Sequence, residues 1–479
     1  MKQLKISLVA VIFFMTGIMC GSVKADNVDL QTAKQIGAYY FTVATGAKAP
    51  VNADQLDLAQ QIDNPTLCIP ALYAFNVKGN GFVVVSASDC TDPILAYSPD
   101  GNLDNPNPAC RYFLESYAKL ISDNQNNHAT ATKEIKSKWD ELYDQTFTCD
   151  LASKGVLVKA KWGQGDPDYP SYNYLCPQIS GKPCLVGCVA TAMSMIIHYW
   201  KYPEKGTKTA TVNWNNQNYK FYFGADSNRF FYDDMPNQIS HNSAEECKRA
   251  IGKLCLACGA SVKMGWGLDG SGAQSDEVDN AFFTYFKYST DAEYKQRAGV
   301  TNANWVSILH DEIDNHARPV YYSAYDPHGT GRDAAGHAFL LTGTSSADQN
   351  KFYINWGWDG SSNGFYTISP ASSIGSAGGY TFSDGHAIVY KIYPKDLSIE
   401  ENTAFTTSLA YPNPASDYIM IPVNMNVNAI LAVYSIDGKM VDNIIVPAGT
   451  QEYRLDLQQY KPGTYVYRVN GSAVKFTVL

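Results

Sequence analysis

An α+β fold is what the sequence predicts, with a large two-part central unit, and three observations carry the prediction. Val189, Met193, Ile196 and Trp200 recur at i, i+4, i+7 and i+11, the apolar stripe of a helix that Pro203 then stops. From Arg318 onward the pattern changes to short β-like runs separated by turn residues. Helices first and strands later suggest an α+β unit with an antiparallel sheet and a cleft between its halves. The third observation is length: 479 residues exceed one ordinary domain, and about three are expected.

Composition narrows the class. Hydrophobic residues make up 45% and aromatic residues 13%, enough for real cores, while charged residues reach only 17%. With 33 Tyr and 36 Gly, this is the profile of an extracellular, β-rich protein. A formal charge of −9 gives no electrostatic reason to bind nucleic acid or an anionic membrane. Residues 1–25 have the make-up of a signal peptide: a basic start at Lys2 and Lys5, an apolar run from Ile6 to Met19, and small residues ending at Ala25. No later stretch is long and apolar enough to span a bilayer, so no integral membrane segment is expected in the mature form. Export permits disulfides among the 11 cysteines, whose pairing the sequence does not give. Cys255 and Cys258 form a CxxC without a second pair at zinc-ligand spacing, so no metal and no cofactor are expected.

Taken in order, residues 26–154 read as a first α+β unit. It has a helix over Ala33–Ala44, strands over Leu72–Asn76 and Gly81–Ser86, a helix over Tyr112–Ile121, a polar run Asp123–His128 and a charged helix over Thr132–Tyr143. The polar connector running to about Lys154 is a place for proteolytic nicking. Residues 155–395 form the central unit, with helices around Cys188 and over Ala244–Cys258. Its strands are expected over Arg318–Ser323, Ala338–Thr342, Phe352–Trp356, Gly364–Ile368 and Ala387–Ile392. A linker, 396–404, leads to a small β-sandwich over 405–479, with Asp437-Gly438 as a hairpin signal and no reaction centre.

Chemistry gathers on Cys188. The thiol follows Gly187 and opens the helix, off its buried stripe, where unpaired N–H groups and the helix dipole favour a thiolate. A small buried core cysteine is the competing reading. A nucleophilic cysteine needs a base, and the base needs a partner to hold its ring. His198 lies ten residues down the same helix, about 15 Å away, too far to serve. His337 opens a strand in Gly336-His337-Ala338-Phe339, and Gly336 leaves room for close approach. A neighbouring strand ending in Asn355-Trp356 can bring an amide carbonyl to the imidazole and an indole to shield it. His386, in a second Gly-His-Ala, competes, and residue chemistry alone does not exclude it. His128, His241, His310 and His316 read as surface. Gln164, between Gly163 and Gly165, would complete an oxyanion hole with the Cys188 backbone N–H, or is simply a turn.

Together these segments resemble the streptopain family of papain-like cysteine peptidases. Gln164-Gly165, Gly187-Cys188-Val189-Ala190-Thr191-Ala192, Gly336-His337-Ala338-Phe339 and Asn355-Trp356-Gly357-Trp358 occur in the family's order, and Gly81–Ser86 and Ile94–Ser98 look like its inhibitory propeptide. The resemblance covers about 26–395. It implies a papain-like two-part domain with Cys188 as nucleophile, His337 as base, Gln164 as oxyanion donor, and Asn355 and Trp356 as orienting elements, and it sets His386 aside. It also implies polypeptide substrates and the chain's own propeptide as intramolecular inhibitor. The loops Gly267–Gly272 and Gly375–Gly379 resemble loops bordering the family's substrate groove. Cys176, Cys184, Cys247, Cys255 and Cys258 depart from the family. Tyr411-Pro412-Asn413-Pro414-Ala415, Ser435–Lys439 and Lys461–Tyr465 resemble the sorting domain of type IX secretion, which implies that machinery as partner and a secreted or cell-surface location. The expected function is a secreted cysteine endopeptidase made as a zymogen, resting as a thiolate–imidazolium pair. An inactive surface binding protein and a transglutaminase-like acyl transferase are the alternatives.

Overall fold

The computed structural model describes residues 27–149, 155–325, 336–368, 370, 385–395, 410–423, 428–435, 440–469 and 472–479. The signal-peptide segment, the last residues of the connector (150–154), the loop Asp326–Gly331, the glycine loop Gly375–Gly379, the linker 396–404 and the Asp437-Gly438 turn lie outside the described residues.

The first unit contains helix α1 (Leu30–Thr45), strands β1 (Leu56–Asp63), β2 (Pro70–Val77), β3 (Phe82–Ser86) and β4 (Ile94–Ser98), then helices α2 (Pro108–Asn126) and α3 (Lys133–Tyr143). The helices begin where side chains can satisfy orphan N–H groups. Asp29 accepts from Thr32 N, Asn107 from Cys110 N with Pro108 in the first turn, and Thr132 from Ile135 N. The polar run from Asp123 continues α2 as far as Asn126: Asn64 and Pro70 on neighbouring loops take up the Gln125 amide group.

In the central unit, β5 (Gln178–Ile179) and β6 (Lys182–Pro183) precede helix α4 (Cys188–Trp200). Then come β7 (Thr209–Trp214), β8 (Gln217–Tyr222), α5 (Glu245–Ser261), α6 (Val278–Phe286), β9 (Glu293–Gln296) and α7 (Asn302–His310). Strands β10 (Val320–Ala324), β11 (His337–Thr344), β12 (Lys351–Asn355), β13 (Gly364–Thr367) and β14 (Ala387–Tyr390) follow. The last unit holds β15 (Tyr418–Pro422), β16 (Ala429–Ser435), β17 (Met440–Val446), β18 (Glu452–Asp456), β19 (Gly463–Val469) and β20 (Ser472–Val478).

The first and central units share one ten-stranded sheet, ordered β1-β2-β3-β4-β13-β12-β11-β10-β14-β9. The join is the antiparallel pair β4–β13, with Tyr97 opposite Phe365 and Ala96 opposite Tyr366. One apolar core runs across it: Leu72, Phe82, Phe113, Leu114 and Tyr117 of the first unit pack with Phe339, Ile354, Trp356 and Tyr366 of the central one. A second core surrounds α4 and α5, on the other side of the sheet. The last unit keeps its own core between a two-stranded sheet, β15-β18, and a four-stranded sheet, β17-β16-β19-β20. Among the described residues no helix is long and apolar enough to cross a membrane, and no group of three or more His, Cys, Asp and Glu side chains could hold a metal ion.

Candidate active site

Helix α4 begins at Cys188 because Gly187 ends the incoming chain in a conformation that disfavours other residues, φ +87°. A side chain there would also run into Met264 and the Ser271 carbonyl. Gly187 brings no capping side chain, so the first-turn N–H groups are left to the thiol. Val189, Met193, Ile196 and Trp200 are buried as the sequence pattern required, and Cys188 is half-buried at the tip.

The thiol faces the backbone N–H groups of Ala338, Val189 and Cys188 itself, all of which favour the thiolate. Burial outweighs them and pushes the Cys188 thiol up. Contact with Ala338 brings the nucleophile helix against the start of β11, beside His337. The His337 ring is also buried enough to be pushed down, to about 4, against a smaller opposing effect from the Trp356 carbonyl. Burial at both groups thus works against the resting ion pair expected from sequence.

The imidazole is held by Trp356, but through its backbone. His337 Nε2 lies 2.8 Å from the Trp356 carbonyl oxygen. A carbonyl only accepts, so Nε2 carries the proton and Nδ1 keeps its lone pair. Asn355 does not reach the ring. Its amide Nδ2 donates to Ala160 O at 2.7 Å, and its Oδ1 accepts from Gly357 N at 3.2 Å. The Trp356 indole also turns inward, donating to Ser362 O at 2.9 Å and packing against Phe113, Phe339 and Tyr366. The expected shielding indole belongs to Trp358, whose ring centre is 4.9 Å from that of His337. Register explains the exchange. Leu340 sits opposite Asn355, and continuing that antiparallel pairing past the strand end brings Trp358 opposite His337.

Gln164 lies beside the segment that leads into Cys188: its carbonyl accepts from Val186 N at 3.0 Å, two residues before Cys188. Both flanking glycines are required. A Cβ at Gly163 would collide with the Asp359 carboxylate, and one at Gly165, φ +81°, with the Asn173 side chain. The Gln164 side-chain amide has no hydrogen-bond partner among the described residues, which leaves it able to donate to a ligand. The loop Gly267–Gly272 is tied to the same segment by Leu185 N to Gly267 O, 3.0 Å, and Ser271 Oγ to Leu185 O, 2.7 Å.

Three other histidines, His386, His198 and His310, have structural partners. His386 is buried, hydrogen-bonded to the Tyr322 hydroxyl at 2.8 Å and stacked on Phe113. His198 contacts Met235 O at 2.9 Å over Trp162. His310 is not a plain surface residue: Asp314 and the Gln349 carbonyl hold its two nitrogens, each at 2.8 Å. Gly336 makes its close approach to Tyr325 and Ala324 on the neighbouring strand. Cys188 and the other nine described cysteines are free thiols; Cys176, Cys184, Cys255 and Cys258 are buried around α4 and α5.

Comparison with known proteins agrees with this architecture. Residues 162–366 match the peptidase C10 family, 25–121 the Spi protease inhibitor family, and 409–478 the secretion system C-terminal sorting domain. Streptopain of Streptococcus pyogenes is 30% identical over 360 residues, covering 70% of this chain and 83% of that protein. The thiol protease/hemagglutinin PrtT of Porphyromonas gingivalis is 25% identical over 473 residues, covering 94% of this chain and 51% of that protein. Among solved structures, a prointerpain A fragment of Prevotella intermedia superposes with a TM-score of 0.55 at 25% identity, covering 71% of this chain and 99% of the fragment. The sorting domain implies secretion across the outer membrane. With its inhibitor-like first unit, the chain is a streptopain-like cysteine protease zymogen, and it belongs to the peptidase C10, or streptopain, family.

Proposed function

We propose that this zymogen matures to a secreted endopeptidase that hydrolyses peptide bonds through a Cys188 acyl-enzyme. His337 Nδ1 takes the thiol proton as the sulfur attacks the scissile carbonyl. The oxyanion is held by the Gln164 side-chain amide and the Cys188 backbone N–H. His337 protonates the departing amine, and the thioester remains. Water then attacks the thioester with His337 as base, restoring the thiol. The thiolate–imidazolium pair belongs to the form whose groove is open to water, where the burial that opposes both charges is relieved.

In this reading Trp356 orients His337 by its carbonyl and Trp358 covers the ring. Asn355 braces the strand end that presents the carbonyl. Residues 1–25 direct export, 26–154 inhibit until the connector near 150–154 is cut, and 155–395 form the peptidase. Residues 396–404 link it to the sorting domain, 405–479, which the type IX machinery removes to release the enzyme or attach it to the surface.

One observation carries the reading. The helix-tip sulfur meets the N–H of Ala338, next to an imidazole whose Nε2 is occupied and whose Nδ1 is available. The test is labelling by a thiol-reactive peptide probe, expected for the autoprocessed wild type and absent in Cys188→Ala. Wild type should also release new amino termini from casein without incorporating an added amine. Amine incorporation would point to a transferase, and no labelling of the wild type to a binding protein.

A further inference from the structure

With Cys188 as nucleophile and His337 as base, each half of a substrate has its own flank of the groove, and the specificity inferred from those flanks rests on that catalytic reading. His337 protonates the departing amine, so the leaving half passes along the His337 side, which Trp358 covers with ring centres 4.9 Å apart. The acyl half lies toward Gly187 and the loop Gly267–Gly272, which is tied to Leu185.

Asp359 follows Trp358 on the leaving-half flank. One observation places its carboxylate beside the oxyanion segment. A Cβ at Gly163 would collide with it, and Gln164, the oxyanion donor, is the next residue. The Gln238 amide donates to the Asp359 carbonyl at 3.0 Å, and Gly360, φ +80°, folds the following chain against the stem of Lys161. This turn holds the residue beside Gln164.

The charge is not cancelled within the molecule. The Tyr172 hydroxyl is a hydrogen-bond neighbour of the carboxylate, and no lysine, arginine or histidine among the described residues contributes to its environment. Lys161, whose stem crosses Gly360, makes no ion pair with it. Asp359 is exposed as a residue, but its carboxylate lies against Gly163 and the buried Tyr172, and burial pushes the carboxyl up. A carboxylate beside the oxyanion donor, with no cation of its own among the described residues, gains a counter-charge from a cationic side chain on the leaving half.

We propose that Asp359 is a specificity-determining residue: it selects substrates carrying lysine or arginine within the first two residues after the scissile bond. The contact leaves the chemistry at Cys188 unchanged and acts on which peptides reach it. Acidic residues at those positions are disfavoured by like-charge repulsion.

The test uses the autoprocessed enzyme and internally quenched peptides that differ only at the first two positions after the scissile bond, carrying Lys, Ala or Glu. Wild type should show kcat/KM about fivefold higher for Lys than for Glu, the scale of an exposed ion pair, and the ratio should shrink with added salt. Asp359→Asn, of the same shape, should bring the ratio to about one, and Asp359→Lys should reverse it. A thiol-reactive probe that occupies only the acyl side should label wild type and Asp359→Asn equally. Equal labelling with an unchanged Lys-to-Glu ratio in Asp359→Asn would overturn this proposal alone, as would an equal loss on every peptide. No labelling of the wild type would overturn the catalytic reading and this proposal with it.

Discussion

The two flanking units are attached to the peptidase in different ways. The inhibitor-like unit donates a strand to its sheet and a helix to its core: β4 pairs with β13, and Phe113 on α2 packs within 5.1 Å of Trp356, ring centre to ring centre. The Tyr117 hydroxyl donates to Thr367 O at 2.6 Å, and the Asn107 amide to Ser361 O at 2.9 Å. The sorting domain instead closes its own core and touches the peptidase with little: the Asn428 amide donates to the Tyr199 carbonyl, and Ile430 and Ile445 pack against the peptidase core. The first unit is thus a part of the fold that proteolysis takes away, and the last is a separate body. Because Trp356 also supplies the carbonyl that holds His337, and Phe339 stacks on its ring, Phe113 of the first unit reaches this histidine through two aromatic neighbours.

The sharpest way to break this contrast is Phe113→Ala. Phe113 is 1% exposed and meets Phe339, Trp356, Tyr366 and His386. Its loss should cost about 3–5 kcal/mol and lower the melting temperature of the full-length zymogen, with a matching gain in basal activity as the propeptide loosens. Calorimetry and a fluorogenic peptide assay on the same sample check both. A melting temperature unchanged from wild type would mean the shared core is not a single cooperative unit.

A smaller effect is expected at the charged part of the same junction. Lys351, 1% exposed on its side chain, pairs with Asp348 at 2.5 Å, and Lys138 of α3, 2.7 Å from Asp92, also faces Asp348. Burial alone would push the Asp348 carboxyl up, but Lys351 and Lys138 hold it below the usual carboxylate range. Asp348→Asn takes the paired carboxylate from buried Lys351 and a second acid from Lys138, which keeps Asp92, and should cost about 2 kcal/mol. The penalty should be smaller in Lys138→Met/Asp348→Asn than the sum of the singles, which a double-mutant cycle in urea measures.

How much of this was legible in the sequence depends on whether side chains or backbone carry the contact. The helix that opens at Cys188 was legible because four apolar residues at helical spacing leave Cys188 off the stripe; that Gly163, Gly165 and Gly187 sit where side chains do not fit was not, since their close neighbours Asp359, Asn173 and Met264 are distant in sequence. The strand pairing across the first boundary was not, since β4–β13 is made by backbone groups that every sequence has. The same limit misassigned Asn355. Both residues of Asn355-Trp356 are well placed, yet the imidazole partner is a main-chain carbonyl, and the covering indole is Trp358, selected by a register that sequence does not print. The strand Met440–Val446 was missed because Asp442 and Asn443 interrupt its apolar alternation.

The central unit should also respond to pH, more weakly. Burial holds His198 and His337 down to about 4, against an ordinary 6.5 in the unfolded chain. The unfolded state therefore binds protons first as pH falls. Stability is fully present above about 6.5, declines as pH drops toward 4, and levels off below it. Both side chains are half-buried, so each contributes on the order of 1 kcal/mol. His198→Gln, which can still donate to the Met235 carbonyl, should flatten this limb in zymogen melts at pH 7 and pH 5 without altering labelling at Cys188.

The smallest effect is expected from removing residues 405–479. In β16 the alternation sends Leu431 and Val433 into the sandwich and Ile430 outward, where it pairs across the ladder with Ile445. Among the described residues those two isoleucines and the Asn428 amide meet the peptidase, set against a domain core of its own that includes Ile419, Leu431, Val433 and Phe476. Truncation should therefore leave the melting temperature of the remainder within about 1 °C, the shift of under about 1 kcal/mol in a chain this long, and latency intact. Scanning calorimetry of the whole chain should resolve a separate transition that the truncated chain lacks. A single cooperative transition, lost as a whole on truncation, would mean that the sorting domain is as much a part of the zymogen's fold as the inhibitor unit.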